Sequence, residues 1–399
     1  MPESERLTRL AKAALLACGV LLPIGMFSPG LVLPQMARDF GHLPNAALLA
    51  QLVGAITSFT FAIGSPLAGA LIVRVGCRPA VVTALVLFGL IGAAPAWLDD
   101  LWAILIMRAL LGLVLATVFT AALTGIGRLP DAGRAQMFGW FAMVGGVAGI
   151  VVFPTVGALA RQDWHFAFLV HLVALLVLPL ALQLPAGLGR HARTQPAADG
   201  RRSDAARLLS PAMLGLLALA AFAGMAMFIP SMYAPLYLAS IGITDPRLLA
   251  IPVTLGSGTA VLASAGYGVL HRRLGVQGVS GAMMAIMGLA LLTAGSVGSF
   301  ASFTMALLLH SATLAVMAPN VNASALAFSP PAKAAQAMGL ASGTMFGAPL
   351  VLPFIASGIR HVAGLAAEFL AFGAVALAIA LVIFVRLGWE RHRATPGAR

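Results

Sequence analysis

The sequence predicts an all-α membrane protein of twelve transmembrane helices in two pseudo-symmetric six-helix bundles, with the amino and carboxyl termini both cytoplasmic. Three observations predict it. Of the 399 residues 60% are apolar and 9% charged, against roughly 45–50% and about 25% in soluble domains, so the chain cannot cover a water-facing surface and lipid must be its main solvent. Apolar stretches of about 20 residues, the length that crosses roughly 30 Å of hydrocarbon as a helix, recur twelve times. The basic residues fall almost entirely between alternate stretches.

The first span, 11–36, follows Arg6, Arg9 and Lys12. It is too long for a cleaved signal peptide and has no small-residue cleavage site, so it is read as a helix. Spans 46–72 and 80–98 are divided by a short basic turn carrying Arg74, Gly76 and Arg78, and span 101–126 encloses a single charge, Arg108. Spans 136–159 and 165–184 complete the first half; Gly149 and Pro154 lie in the fifth. Residues 185–211 are polar, with three glycines, three prolines and five arginines, and read as a solvated linker. Spans 212–239, 248–270, 277–298, 301–327, 335–358 and 362–387 follow, the last leading into a short basic tail. Runs this long and continuous must be helices, because backbone groups in lipid have to be satisfied within the segment. The expected organisation is a first bundle over 1–184, a linker over 185–211 and a second bundle with its tail over 212–399.

Charge placement sets the orientation. Nineteen of the 24 basic residues lie on the side assigned to the amino terminus, four (Arg38, Arg161, Arg247 and Arg360) lie opposite, and Arg108 is inside a span. That asymmetry is the positive-inside pattern, so the net charge of +12 reflects topology and implies no nucleic-acid partner. Cys18 falls in a span and Cys77 in a basic turn, which excludes a disulfide framework.

The halves also repeat. Met26-Phe27-Ser28-Pro29 with Pro34 recurs as Met227-Phe228-Ile229-Pro230 with Pro235; Ala135 to Gly139 recurs as Ala335 to Gly339; Gly69 to Gly76 is echoed by Gly268 to Gly275. The offsets are 201, 200 and 199. Two parallel six-helix repeats are a recurring plan of secondary transporters, with the substrate site near the midplane. The matched prolines of the first and seventh spans predict kinks.

At these residues the sequence resembles the major facilitator superfamily over nearly its whole length. That family carries Gly-x-Leu-x-Asp-Arg-x-Gly-Arg-Arg between its second and third helices, and here the stretch reads Gly69-Ala-Leu71-Ile-Val73-Arg74-Val-Gly76-Cys77-Arg78. The acidic position is Val73, so the cytoplasmic latch that the Asp supplies in the family is missing. Arg108-Ala-Leu-Leu-Gly112 is similar to the Arg-x-x-x-Gly pattern of proton-coupled members, and Gly149-x-x-x-Phe153-Pro154-x-x-Gly157 is a partial match to the antiporter signature. Pro29 to Gly41 and Trp164 to Phe168 look like the twelve-helix drug and metabolite efflux branch. The resemblance implies a monomeric transporter of the bacterial cytoplasmic (inner) membrane, not an enzyme, in which Gly69, Arg74, Gly76, Arg78 and Pro154 belong to gating motifs.

Within the spans, polar residues mark candidate substrate and coupling sites. Arg108 costs roughly 2.5–3.5 kcal/mol to insert. It reads either as a group for an anionic substrate or a proton-carrying partner, or as a structural residue bonded to carbonyls of the first helix. No carboxylate lies between Leu15 and Gln35, and Glu368, the only acid within a span, reads as structural. Histidine is therefore the candidate proton carrier. His310, Thr313, Met317, Asn320 and Ser324 recur at i, i+3, i+7, i+10 and i+14, one helical face, whereas His171 reads as a buried hydrogen-bonded residue. Tyr233 and Tyr237, Gln51 with Thr57, and Trp140 would suit an amphipathic organic substrate.

The expected function is proton-coupled efflux of a small organic molecule by alternating access. The alternative is an importer or facilitator of a small anion or nutrient. Met pairs such as Met283 with Met287 admit copper transport only weakly, since Met is more often a gap-filler. No cofactor is expected: the sequence has no phosphate-binding loop, which points to an ion gradient as the energy source.

Overall fold

The computed structural model describes the backbone of residues 8–127, 129, 131–189, 210–296, 298–329 and 334–394. Most of the expected linker, 190–209, lies outside these residues, as do Arg128, Lys333 and the tail beyond 394. The described residues are helical, with no strand among them.

In chain order the helices are α1 (Arg9–Asp39), α2 (Ala46–Val75), α3 (Cys77–Trp97), α4 (Leu101–Gly127), α5 (Asp131–Ala160) and α6 (Trp164–Ala181). α7 comprises Pro211–Met232 and Ala234–Ser240. The next stretch, Pro246–Ser296, is interrupted at Gly275, whose φ of 66° and ψ of 175° break the helix, and is labelled α8 over 246–274 and α9 over 276–296. α10 is Phe300–Ala327; α11 comprises Ala334–Gly347 and Leu352–Ala363, bent by 41° across residues 348–351; α12 is Leu365–Ala394. Among the described residues ten helices are long and apolar enough to cross a membrane, eleven when α11 counts as one bent span, with Pro246–Ser296 taken as one.

Several spans are less regular than their apolar runs imply. α1 passes through 3-10 turns at Cys18–Val20 and Ser28–Val32, then restarts at Leu33 with Pro34 in its first turn. A proline lacks the N–H and its ring crowds the preceding turn, which favours a break there. α7 breaks in the matching place: Tyr233 separates its two pieces, and Pro235 opens the second. α6 begins as nine residues of 3-10 helix, Trp164–Leu172, capped by Asp163.

The glycine turns repeat as well. Gly76 ends α2 with φ 92° and ψ 163°, close to the backbone of Gly275. Both lie in a region of φ/ψ space that side chains essentially exclude, so one Gly-only conformation recurs at the 199-residue offset. Gly69 adds nothing comparable. A Cβ placed there would meet no atom within 4 Å.

The described residues cluster into two compact units, one drawn from Met1–Gly200, Ser231–Thr254 and Phe346–Pro353, the other from Arg201–Pro230, Leu255–Met345 and Phe354–Arg399. The first therefore contains α1 to α6 together with the second piece of α7, the start of α8 and the bend of α11.

Candidate functional site

In the first unit the polar centre is Arg108, fully buried on α4. Its position follows from how closely α4 and α2 approach. A Cβ on Gly112, one turn further along, would fall 2.0 Å from Thr60 Oγ1 and 2.3 Å from the Thr57 carbonyl, so only glycine permits this contact. The approach lets Thr57 Oγ1 donate to the Arg108 carbonyl at 3.0 Å and Arg108 Nε donate to the Val53 carbonyl at 3.3 Å. A second guanidinium nitrogen donates to the Gly25 carbonyl of α1, and the third lies 3.4 Å from His171 Nε2 on α6. His171 Nδ1 is 2.8 Å from the Phe168 carbonyl. Because a carbonyl only accepts, Nδ1 carries the proton and Nε2 presents its lone pair to Arg108, so the imidazole is neutral. Arg108 thus binds two backbone carbonyls and one imidazole across α1, α2 and α6, the geometry of an internal tie.

Also in the first unit, Tyr233 Oη donates to Gln51 Oε1 at 3.2 Å, and both side chains are buried. Gln51 Nε2 has no hydrogen-bond partner. Tyr237, one turn beyond Tyr233, is buried too, and Trp140 on α5 is 44% exposed. At one end of the unit Trp164 Nε1 donates to Asp39 Oδ2 at 2.5 Å. Asp163 accepts from the His165 backbone N–H at 2.9 Å and lies 2.7 Å from its Nδ1. Burial pushes the Asp163 carboxyl up, but the His165 N–H and ring outweigh it and hold the carboxyl below its ordinary value. At the other end Arg74 is exposed and Arg78 half-buried, flanking the Gly76 turn. Pro154 is an exposed residue within α5.

The second unit holds the stripe of α10, and its members divide. Asn320 ties helices together: Nδ2 donates to the Val276 carbonyl at 2.9 Å and to Ser280 Oγ at 2.8 Å, and Oδ1 accepts from Tyr267 Oη at 3.4 Å. Thr313 and Ser324 bond back to their own helix, at the carbonyls of His310 and Asn320. His310 differs. It is fully buried and approaches the Ala226 carbonyl of α7, but neither ring nitrogen completes a hydrogen bond. Buried polar atoms are paired in roughly nine cases of ten, so two unsatisfied nitrogens on one ring mark His310 out. Glu368, in the first turn of α12, accepts from Arg360 Nε of α11 at 2.7 Å.

The sequence picks out Arg108, His310, Asn320 and Tyr233 from their type and span; it does not reveal that Arg108 meets His171, since that pairing depends on the α4–α6 register. Among the described residues no group of three or more His, Cys, Asp or Glu is placed to hold a metal ion.

Residues 15–297 match the family model of the Major Facilitator Superfamily. Among solved structures, the chain is similar to a POT family transporter in complex with 5-aminolevulinic acid, at 13% identity and a TM-score of 0.75, covering 94% of this chain and 95% of that one. It is similar also to a D-xylose-proton symporter, at 18% identity and a TM-score of 0.74, with the same coverage. The inward-open xylose transporter XylE from E. coli gives 15% identity and a TM-score of 0.72, again over 94% of this chain and 95% of that one. No curated protein matches the chain in sequence.

Proposed function

The chain belongs to the major facilitator superfamily, and from that premise we propose that it is a proton-coupled secondary transporter that exports a small organic molecule across the bacterial cytoplasmic membrane by alternating access. Counting Pro246–Ser296 as two spans divided at Gly275 gives twelve crossings, six in each repeat, with 1–184 and 212–399 as the repeated bundles and both termini cytoplasmic. The observation that carries the coupling reading is His310, a fully buried imidazole in a membrane span that approaches the Ala226 carbonyl without completing a hydrogen bond. A side chain in that condition gains from any step that lets a proton, water or substrate group reach it.

In the first unit Gln51, Tyr233 and Tyr237 supply an amide and two phenols, and Trp140 an indole. This is the chemistry of an uncharged or amphipathic organic solute. The fold neighbours include a D-xylose-proton symporter and a POT family transporter in complex with 5-aminolevulinic acid. Arg108 gives the anion reading little support, because all three of its nitrogens already face acceptors within the first unit.

Transport in proteoliposomes under an imposed pH gradient tests the proposal. Wild type is expected to move its substrate faster with the gradient than without, and His310→Ala is expected to respond to neither sign of gradient. Equal transport with and without a gradient in wild type overturns proton coupling.

A further inference from the structure

The second unit contains a cavity that the transport reading does not use. It measures about 480 Å³ and is walled by α7, α9, α10 and α12. α7 and α9 contribute their first turns, through Gly215 and Gln277; α10 contributes its last turn, through Ser324, and α12 the stretch from Val375 to Arg386. The cavity therefore lies at the end of these helices that the charge asymmetry assigns to the cytoplasm.

Its chemistry is graded along α12. Val375, Ile379, Val382 and Arg386 recur at i, i+4, i+7 and i+11 and form one stripe of the wall. Eleven residues of helix rise roughly 16 Å, about half of the roughly 30 Å hydrocarbon thickness, so the stripe runs the depth of one leaflet. The two buried hydroxyls in the wall are committed elsewhere: Ser280 Oγ donates to the Val276 carbonyl and Ser324 Oγ to that of Asn320. The interior thus suits an apolar occupant. At the rim the chemistry reverses, with the Arg386 guanidinium, the Gln277 amide and the amino end of α7 at Pro211 and Ala212, where the helix dipole favours negative charge. Val382 lines the cavity and is also 68% exposed, beside Leu381 and Val385 at 65% and 59%. The cavity is therefore continuous with a surface of α12 that acyl chains would cover.

We propose that this cavity is a binding site for an anionic phospholipid of the cytoplasmic leaflet, with one acyl chain between α7 and α12 and the phosphate at Arg386 and the start of α7. The site is independent of the transported solute, so it stands or falls separately from the coupling reading.

The test uses the full chain in nanodiscs of mixed phosphatidylglycerol and phosphatidylethanolamine, with retained lipid measured by native mass spectrometry after detergent extraction. Wild type is expected to keep phosphatidylglycerol in preference to phosphatidylethanolamine. Arg386→Gln is expected to lose about fivefold of that preference, the effect of one basic group at an anionic surface, while Arg272→Gln, an exposed charge outside the cavity, is expected to keep it. Gly215→Phe should empty the site of both lipids, since a side chain there projects into space with no atom within 4 Å. Should Gly215→Phe misfold, Ala378→Phe fills the same cavity from the exposed side of α12. Equal retention of the two lipids by wild type, equal losses in Arg272→Gln and Arg386→Gln, or full displacement of phosphatidylglycerol by inorganic phosphate would each overturn the proposal.

Discussion

α4 and α10 are the fourth helices of the two repeats, and each buries one basic side chain in an apolar span, yet they treat it in opposite ways. Arg108 on α4 is drawn into bonds with α1, α2 and α6. His310 on α10 reaches no complete hydrogen bond. A permanent charge inside a membrane helix is tolerable only when its donors are met, so Arg108 has become part of the packing. An imidazole can stay neutral and unpaired at a smaller cost, and an unpaired imidazole remains available to change state.

This contrast predicts opposite responses to mutation. The largest effect belongs to Arg108→Ala, which empties a buried volume and strands His171 Nε2; it should destabilise the protein by about 3 kcal/mol, seen as a lowered melting temperature in detergent, with Arg108→Lys recovering part of the loss. Unchanged melting would break the comparison. Next come the two glycine turns, which test whether the repeats agree where side chains are absent. Gly76→Ala and Gly275→Ala should each cost about 2 kcal/mol, because both force a Cβ into a Gly-only conformation, and unequal losses would show that the turns are not equivalent.

His310→Phe should leave stability within about 1 kcal/mol of wild type, since the buried ring it removes approaches the Ala226 carbonyl without completing a hydrogen bond, while abolishing the response of transport to a pH gradient. A destabilisation matching that of Arg108→Ala would place His310 among the structural ties.

The smallest effect lies at Asp163, whose carboxyl is held below its ordinary value mainly through His165. A depressed carboxylate stabilises the fold above its unfolded value, and that contribution disappears as pH falls through the native value. Because Asp163 is 45% exposed, solvent screening reduces it to a few tenths of a kcal/mol. Asp163→Asn should therefore differ from wild type in melting temperature at neutral pH and converge with it in acid.

Much of the fold is legible in the sequence. The expected spans differ from the helices mostly at their ends, as between 101–126 and Leu101–Gly127, because apolar run length is a local property of the chain. The prolines at 29, 34 and 235 stand at the irregular turns of α1 and α7, where a missing N–H and a crowding ring favour a break. Pro230, by contrast, lies inside the first piece of α7, and Pro66, Pro154 and Pro319 lie inside unbroken helices. What escapes is irregularity without such a marker: the 3-10 start of α6, and the assignment of Ser231–Thr254 to the unit built mainly from α1 to α6. The candidate site is legible to the same depth. Residue type and span bring out Arg108, Asn320 and His310, and the spacing of 310, 313, 317, 320 and 324 sets them on one face, but their partners lie on other helices.

The sequence by itself therefore determined the membrane as solvent, the succession of apolar helices, the breaks beside Pro34 and Pro235 and at Gly76 and Gly275, and which polar residues had to be buried. Each of these depends on a few neighbouring residues and on the transfer of side chains from water to lipid. Only the tertiary structure decided that Arg108 would be bonded on all sides while His310 would not. A hydrogen bond between helices requires rotation and height to agree within a fraction of an ångström, and that agreement is set by small contacts such as Gly112 against Thr57 and Thr60, dozens of residues apart in the chain.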